Sequence, residues 1–325
     1  MPVVSVVIPA FNAEDSLAAA VASAQGQSLT DIEILIVDDA SGDGTLALAR
    51  RLAAGDPRVK AIAAGDNRGP AGARNLGIAH AKGDWIALLD ADDAFEPGRL
   101  AALVGAARDC RADLLADNLL LEDEDGTVEP MLPPGEGANS APLSAAQFLV
   151  GNLPDPAHPR KSYGFLKPLI RRGFLAEHAL RYDEGLRFAE DFAFYLACYS
   201  AGARFYLVQQ PLYRYRVRAD SLTARHSTED LRRLQQVDRM LLRDHAGAAE
   251  GAFLSALKRH KRSIDQRLYW RVVIDAVKRR AWLSALGASF KGWHVFTYVS
   301  AQLAGEAWRR AGRRLGSGRA RTVET

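Results

Sequence analysis

Short runs of β-branched and other apolar residues alternate with Ala-, Leu- and Arg-rich stretches along the first 120 residues. The runs have the length of buried strands, and Gly, Pro, Asp or Ser residues bound the stretches, as they commonly bound helices. The predicted strands are Val3–Ile8, Ile32–Val37, Val59–Ala63, Trp85–Leu89 and Leu114–Leu121. The predicted helices are Asp15–Ala24, Thr45–Ala53, Ala71–Ala81 and Gly98–Arg108. This alternation predicts an α/β fold with a doubly wound, mostly parallel, Rossmann-like sheet.

The pattern changes after these strands. Residues Glu122–Pro142 are acidic and rich in Pro and Gly, which predicts an exposed loop, with or without a hairpin, that is either a mobile lid or a simple connection. Further elements are predicted at Tyr163–Phe174, about Asp191–Ala201 and about Arg204–Val208. Beyond Thr228 the chain is predicted to be helical to near residue 311. We therefore expect one domain over residues 1–227 and a helical C-terminal extension over residues 228–325.

Apolar residues recur at helical spacing near the C-terminus, with basic residues on either side. The apolar stripe consists of Trp282, Leu286, Phe290, Trp293, Phe296, Val299 and Leu303. Lys278-Arg279-Arg280, Lys291 and Arg309-Arg310 carry the positive charge. We expect Gly287 and Gly292 to interrupt the stripe. Such a surface suits the headgroup region of an anionic membrane, and packing on the first domain or a dimer contact is the alternative.

The composition is that of a globular chain. Its 325 residues are 25% charged and 48% hydrophobic, enough for one large core or for a core with an appended unit. Cys110 and Cys198 are the only cysteines, so neither a disulfide framework nor a thiolate metal site is expected. The N-terminal apolar run ends at Pro9, too short for a signal peptide, and no run of 18 apolar residues follows. We expect a cytoplasmic protein that does not cross a membrane.

The net charge of +3 hides a gradient along the chain. Residues 1–150 contain 10 Lys and Arg against 23 Asp and Glu, a net charge of −13, and residues 151–250 carry +4. Residues 251–325 contain 16 basic and 4 acidic residues, a net charge of +12. The two ends of the chain are therefore expected to have different roles. No helix-turn-helix, zinc or RNA-stacking pattern accompanies the basic residues, so nucleic acid is not an expected partner.

Polar residues directly follow three of the predicted strands. Pro9-Ala10-Phe11-Asn12 follows the first strand, Asp38-Asp39 the second and Asp90-Ala91-Asp92-Asp93 the fourth. Doubly wound sheets bind ligands at the carboxyl ends of their strands, and two carboxylates in a D-x-D pattern suit Mg²⁺ or Mn²⁺. Such an ion keeps water and completes its shell with substrate phosphates, so a nucleoside diphosphate is implied. An acidic turn that only caps the next helix is the alternative, for Asp93 in particular.

Four segments of the chain resemble successive sequence blocks of glycosyltransferase family 2. They are Val3–Asn12, Ile36–Thr45, Asn67–Gly77 and Leu89–Asp93, in the order and spacing of that family. The resemblance covers about residues 3–100 and extends more loosely to about residue 222. It implies a GT-A fold that binds a nucleotide sugar within about residues 1–120 and an acceptor within about residues 121–227, with Mg²⁺ or Mn²⁺ as cofactor.

The resemblance also implies roles for residues at the strand ends. Pro9 and Phe11 line the nucleoside pocket, and Asp39 hydrogen-bonds the base. Asp90 and Asp92 contact the ribose and the metal, with Asp92 as the principal metal ligand.

A second acidic pair, Glu190-Asp191, precedes a predicted helix and resembles the pair that contains the general base in this family. Glycosyl transfer with inversion needs a group that removes the proton of the acceptor hydroxyl as it attacks the sugar. Asp191 is the predicted base. Capping of the helix N-terminus by the same carboxylates is the structural alternative.

Basic residues are predicted to contact phosphate or acceptor. Arg74 lies on a helix between the acidic strand ends and either pairs with phosphate or holds the carboxylates, since a guanidinium suits both tasks. Arg214, Arg216 and Arg218 alternate on a predicted strand or extended loop, so they share one face that suits a diphosphate. Lys167 resembles a polar position in the acceptor region of the family, and a solvated lysine beside a proline is the alternative.

The leading hypothesis is an inverting, metal-assisted transfer from a nucleoside-diphosphate sugar to a glycan or lipid-linked glycan acceptor in cell-surface polysaccharide synthesis. An anionic membrane surface is a further expected partner, with peripheral attachment at its inner face. A catalytically silent GT-A scaffold is one alternative, which loss of the site carboxylates would favour. A nucleotide-sugar pyrophosphorylase is another, but that class needs a glycine-rich loop after the first strand, and Pro9–Asn12 contains no glycine.

Overall fold

The computed structural model describes residues 1–133, 140–217, 227–245 and 251–319. The chain divides into two compact units, Met1–His226 and Ser227–Thr325. The first unit is an α/β structure and the second is helical. Arg218, one of the predicted phosphate contacts, lies outside the described residues.

The strands of the first unit are β1 (Val4–Ala10), β2 (Ile32–Asp38), β3 (Val59–Ala63), β4 (Trp85–Leu88), β5 (Ala94–Phe95), β6 (Leu114–Glu122), β7 (Val128–Pro130), β8 (Ala141–Pro142), β9 (Leu169–Arg171) and β10 (Phe205–Arg216). Its helices are α1 (Leu17–Gln25), α2 (Thr45–Gly55), α3 (Gly69–His80), α4 (Arg99–Asp109), α5 (Ala145–Gly151), α6 (Arg172–Glu177) and α7 (Glu190–Ser200). The second unit contains α8 (Thr228–Asp244), α9 (Ala252–Lys278), α10 (Trp282–Ser289) and α11 (Trp293–Arg319). The strands and helices predicted in the first 120 residues are all present, each bound within about two residues of its expected position.

One mixed sheet has the strand order β3-β2-β1-β4-β9-β6-β10-β5, and its parallel pairs contain most of the paired residues. Strand β1 is parallel to β2 and to β4, and β6 is parallel to β10. Strand β9 connects the two parallel groups, since it is antiparallel to both β4 and β6. The chain proceeds from β1 to β3 on one side and then to β4 on the other, so the strand order reverses between β1 and β4. Ligands of doubly wound sheets bind at such a reversal.

A buried ion pair fixes α4 to the sheet. Arg99 donates hydrogen bonds from Nε and Nη2 to the carboxylate of Asp117 on β6, at 2.9 and 2.6 Å, and both side chains are fully buried. Nη2 also donates to the carbonyl oxygen of Lys167 at 2.6 Å. The guanidinium lies over the rings of Phe95 and Tyr213. A bidentate pair of this kind specifies geometry as well as energy, so it positions the backbone of Lys167.

The strands of the second half of the unit agree in part with the sequence pattern. The hairpin left open for the segment Glu122–Pro142 is present, because β7 pairs antiparallel with β6. The strand expected at Arg204–Val208 continues as β10 to Arg216, past an irregularity in its register at Pro211. Proline cannot donate to the ladder and is tolerated at such a bulge. Pro211 therefore interrupts the strand-like sequence pattern, but the strand itself continues to Arg216.

Helix α3 packs closely on β1 and β2 at Gly77. A Cβ atom at this position would lie 2.3 Å from Cγ1 of Val7 and 3.2 Å from Cγ2 of Val37. We expect Gly77→Ala to lower the free energy of unfolding by about 1–3 kcal/mol, the usual cost of overpacking a core. Urea denaturation would measure the change.

Gly105→Ala is the matched control, since Gly105 also lies within a helix but no atom of the described residues is within 4 Å of its Cβ position. This change should raise the free energy of unfolding by about 0.4–1 kcal/mol, through reduced entropy of the unfolded chain. Stabilisation by both alanines would contradict the close packing at Gly77.

The second unit has a small apolar core that joins α9, α10 and α11. Its buried residues are Val273, Ala276, Ala285, Ala288, Val295 and Val299. The prediction that Val299 belongs to an exposed stripe is therefore wrong, because its side chain faces this core. The exposed members of the stripe are Trp282, Leu286, Phe290, Trp293 and Leu303. Gly292 lies between α10 and α11 as expected, whereas Gly287 lies inside α10 and does not interrupt it.

Over the ranges that the structure describes, no helix combines the length and the apolar character needed to cross a bilayer.

Candidate active site

The carboxyl ends of β1 and β2 carry the predicted nucleoside-binding residues. Pro9 is the penultimate residue of β1, and Phe11, just beyond the strand, is 51% exposed. The buried carboxylate of Asp39, which follows β2, accepts hydrogen bonds from the backbone N–H groups of Arg68 (2.9 Å) and Gly69 (2.8 Å). These bonds fix Asp39 at the start of α3. Each of its oxygens retains a second lone pair for a ligand.

Arg74, on α3, lies at the centre of a buried ion cluster. Its guanidinium contacts Oδ1 of Asp90 at 2.9 Å, Oε1 of Glu190 at 2.6 Å and Oδ1 of Asp191 at 3.2 Å. Asp90 follows β4, whereas Glu190 and Asp191 begin α7, so Arg74 connects the two halves of the unit. The sequence left open whether Arg74 pairs with phosphate or holds the carboxylates. In this structure it holds the carboxylates.

Lys167 is the second cation of this cluster. Its ammonium nitrogen lies 2.7 Å from Oδ2 of Asp191 and 3.0 Å from Oδ2 of Asp90, and its side chain is only 4% exposed. The alternative of a solvated lysine is therefore wrong. Together with Arg74, Lys167 forms a bridge of positive charge between Asp90, after β4, and Asp191, in α7.

Burial and charge pairing shift the pKa values of the cluster in different directions. Burial alone would raise the pKa of Asp90, but Lys167 and Arg74 lower it below its ordinary value. Burial opposes the charge of Lys167 and Arg74, but Asp191 and Asp90 raise both pKa values well above the ordinary range. The pKa of Glu190 is raised by burial in spite of Arg74. Glu190 therefore retains a proton to higher pH than an exposed glutamate does.

The backbone at the start of α7 directs the acidic pair into the cluster. The N-cap residue is Ala189 and no side-chain hydrogen bond caps the helix, but Glu190 and Asp191 both lie in its first turn, so the structural alternative holds in its electrostatic part. Ala189 has a φ of 57°, in the left-handed region, which costs a residue other than glycine about 1–2 kcal/mol. The helix N-terminus favours negative charge at these positions. A strained residue directly before a charged pair is typical of a functional site.

The segment 182–191, which ends in the acidic pair, is held against α3 by side chains that the sequence analysis did not assign. Asn75 donates from Nδ2 to the carbonyl oxygen of Tyr182 and to Glu184, and its Oδ1 accepts from the backbone N–H of Tyr182. Arg68 donates to Glu184 at 2.6 Å. The buried ring of Tyr182 lies 5.5 Å from Cζ of Arg74, a cation–π contact. Arg74 and Asn75 lie in the family-like block Asn67–Gly77, which is visible in the sequence. Their partners in this segment lie more than 100 residues away and could not be paired with them from the sequence.

The last carboxylate of the acidic turn after β4 is hydrogen-bonded to strand β10 of the sheet. Asp93 is buried and accepts hydrogen bonds from the hydroxyl of Tyr213 (2.7 Å) and the backbone N–H of Arg216 (2.9 Å). Burial, together with the nearby Asp90 and Asp92, raises the pKa of Asp93 well above its ordinary value. A glycine is the N-cap of α4. The interpretation of Asp93 as a helix cap is therefore wrong.

Asp90 and Asp92 differ in how well they suit Mg²⁺ or Mn²⁺. Both carboxylate oxygens of Asp90 face cations of the chain, Arg74 and Lys167, so Asp90 is a poorer candidate ligand than its sequence position suggested. Asp92 is half-buried. Within the described ranges, no group of three His, Cys, Asp or Glu side chains forms a complete metal site. A single carboxylate nevertheless fits an Mg²⁺-type ion that takes its other ligands from water and phosphate.

Strand β10 places Arg214 and Arg216 at alternate positions, on one face of the sheet. Arg214 lies 2.7 Å from Glu96 and 3.6 Å from Glu122, and Arg216 lies 3.4 Å from Glu122. Both guanidinium groups thus already contact carboxylates of the chain. A diphosphate would have to replace these glutamates to bind the arginines.

Solved structures share this architecture. S. aureus TarS 1–349 in complex with UDP-GlcNAc has a TM-score of 0.64 at 16% identity, and the match covers 94% of this chain and 92% of that one. Mannosyltransferase PcManGT from Pyrobaculum calidifontis, in complex with GDP-Man and Mn²⁺, has a TM-score of 0.56 at 20% identity, covering 95% and 88%. The fold is therefore that of the GT-A glycosyltransferases.

Sequence similarity identifies the family more closely. The family described as Glycosyl transferase family 2 matches residues 5–149. Succinoglycan biosynthesis protein ExoU of Rhizobium meliloti (strain 1021) is 35% identical over 288 residues, which cover 87% of this chain and 82% of that protein. The chain belongs to glycosyltransferase family 2, and its enzyme class is glycosyltransferase. The pyrophosphorylase and silent-scaffold alternatives are thereby set aside.

Proposed function

We propose that the protein is an inverting, metal-assisted glycosyltransferase of cell-surface polysaccharide synthesis. Its donor is a nucleoside-diphosphate sugar, and its acceptor is a glycan or a lipid-linked glycan. The observation that carries the proposal is the buried cluster in which Arg74 and Lys167 join Asp90 to Asp191. The polysaccharide named for ExoU and the nucleotide sugars bound by TarS and PcManGT support the same substrate classes.

In the proposed reaction, the acceptor hydroxyl attacks the anomeric carbon opposite the departing diphosphate. The glycosidic bond forms as the bond to the diphosphate breaks, and the hydroxyl proton passes to Asp191. Lys167 fixes Oδ2 of Asp191 at 2.7 Å. Oδ1 is buried and accepts no hydrogen bond from the described residues, although Arg74 lies 3.2 Å away. The two cations therefore hold the Asp191 carboxylate in place, and we assign this carboxylate to receive the proton.

The donor half is proposed to position the nucleotide. Pro9 and Phe11 would border the nucleoside, Asp39 would accept a hydrogen bond from the base, and Asp90 would contact the ribose. Asp92 would hold Mg²⁺ or Mn²⁺, whose charge would stabilise the departing diphosphate when the ion is bound.

Asp92→Asn is expected to lower metal-dependent transfer by at least about 100-fold, because a bound metal supplies several kcal/mol of transition-state stabilisation. Release of nucleoside diphosphate from a panel of nucleotide sugars would measure the rate. Calorimetric titration with nucleoside diphosphate, with and without Mn²⁺, would measure binding.

The matched control is Asp109→Asn, at an exposed aspartate at the end of α4, which should leave the rate unchanged. Full activity of Asp92→Asn would show that the metal assignment is wrong. The anomeric configuration of the product, read by NMR, tests inversion separately, because retention of the donor configuration would exclude a single displacement.

We also infer peripheral attachment at the inner face of an anionic membrane through the second unit. Trp282, Leu283, Phe290 and Trp293 are between 63% and 86% exposed. The basic segment 278–280 directly precedes α10 and is exposed as well. Aromatic side chains settle at the headgroup level, and basic residues are attracted to anionic lipid. Attachment there would bring the enzyme to a lipid-linked acceptor.

A further inference from the structure

A cleft of about 480 Å³ lies within the second unit, lined by residues of α8, α9, α10 and the turn after α10. Arg232 and Arg239 of α8 line one side, and Lys291, just after α10, lines another. None of the lining side chains, all of which belong to the described residues, is acidic. A concave site of this size, with convergent charges of one sign, has the form of a small-ligand site.

The cations of the cleft are available to a ligand. Arg239 and Lys291 are exposed, and neither has a carboxylate partner within the described part of the chain. Arg232 lies 3.5 Å from Glu229 on the exposed surface of α8, a type of pair that contributes little. Two arginines and a lysine around one concavity suit a phosphate group, which both side-chain types bind well.

One side of helix α10 lines the cleft, and another side exposes apolar residues. Ser284, Gly287 and Ala288 line the cleft at the i, i+3, i+4 spacing of one helix face. Leu283 and Leu286, outside this face, are 86% and 57% exposed. Helix α10 itself carries no charge, so the cations beside it come from α8 and from Lys291. An exposed apolar helix side next to a cationic cleft suits the membrane interface, with the apolar side among the acyl chains.

We propose that this cleft binds the phosphate headgroup of an anionic phospholipid. The assignment rests on the membrane attachment proposed above and names the site that makes the attachment selective for anionic lipid. A membrane phospholipid fits better than a free phosphate, because the exposed leucines of α10 belong to the same helix as the cleft. Such a lipid would occupy the cations and cover the leucines at the same time.

Flotation of the full chain with lipid vesicles tests the proposal. The vesicles are neutral phosphatidylcholine alone and phosphatidylcholine mixed with phosphatidylglycerol. We expect the wild type to bind the mixed vesicles more tightly. We expect Arg239→Gln combined with Lys291→Gln to weaken this binding about 30-fold, since each basic residue near an anionic surface contributes about a factor of five.

Arg259→Gln combined with Arg262→Gln is the matched control. Both arginines are exposed on α9, neither lines the cleft, and the change in net charge is the same. Their replacement should weaken binding by less than about threefold, because screening limits the effect of distant charges. Melting temperatures would establish that both double variants are folded.

The outcomes separate the two proposals. A cleft variant that binds like the wild type, or a control that loses as much as the cleft variant, would overturn the cleft assignment alone. A wild type that binds neither kind of vesicle would overturn the membrane attachment as well, while transfer to a soluble acceptor would still report on catalysis. Calorimetric binding of inorganic phosphate that the cleft variant loses, together with equal binding of the wild type to both kinds of vesicle, would indicate a free-phosphate site and overturn the lipid assignment.

Discussion

Asp191→Asn is expected to lower the turnover number of glycosyl transfer by about 100- to 10,000-fold, the usual contribution of a general base. The amide preserves the shape of the carboxylate but does not take up the proton of the acceptor hydroxyl. Initial rates at saturating donor and acceptor would measure the effect. The dissociation constant of the nucleoside diphosphate should change much less, because Asp191 belongs to the acceptor side of the proposed site.

Glu190→Gln is the informative comparison for this prediction. Glu190 neighbours Asp191 in the same first helical turn and contacts the same guanidinium at 2.6 Å. If Asp191 is the base, the glutamine variant should retain far more activity than the asparagine variant. A larger loss from Glu190→Gln, at equal melting temperatures, would move the base assignment to Glu190.

Arg74→Met is expected to lower the free energy of unfolding by about 3–5 kcal/mol at neutral pH. Removal of one partner from a buried ion cluster leaves the remaining charges uncompensated, and this is the cost usually observed. In this protein the remaining charges would be three carboxylates beside a single ammonium group. Urea denaturation would measure the loss.

The same variant should show a characteristic pH dependence. Arg74 lowers the pKa of Glu190, which burial already holds above its ordinary value, so the methionine should raise that pKa further. A carboxyl group with a raised pKa in the folded state contributes stability below its unfolded pKa and loses it as the pH rises through the folded value. The destabilisation by Arg74→Met should therefore be smaller at about pH 5 than at about pH 8.

Arg50→Met, at an exposed arginine on α2, is the control for this prediction. Surface substitutions of this kind usually change the free energy of unfolding by less than about 0.5 kcal/mol. An Arg74→Met protein of wild-type stability would contradict the buried cluster. A loss of equal size at both pH values would show that Glu190 does not titrate in response.

Local sequence pattern was sufficient to predict the main strands and helices of the first 120 residues. Strand β2 illustrates the reason: all seven of its residues are buried, five of them are apolar, and the apolar run Ile34–Val37 ends where the strand meets Asp38-Asp39. The carboxyl ends of parallel strands lie at one edge of a sheet, so the polar side chains that follow several strands were predicted to share that edge. The alternation of strands and helices did not predict the strand order, in which β9 lies between β4 and β6.

The parts of the site that the sequence did not reveal depend on distant partners. Lys167 has an apolar neighbour on one side and a proline on the other, a context equally compatible with water, and its burial depends on Asp90 and Asp191. Tyr182 lies in a stretch without periodicity, and its contact with Asn75 spans 107 residues. Val299 follows the helical repeat of an exposed stripe but packs in the core of the second unit.

The contacts of α3 limit how this enzyme can be recombined with its relatives. The helix belongs to the first 120 residues, yet Arg68, Arg74 and Asn75 all hold the segment that ends in Asp191. A chimera joined near residue 120 would pair one parent's α3 with the other parent's segment 182–191. Exchange of acceptor specificity by segment swapping should therefore succeed more often when residues 68–75 and 182–191 come from the same parent.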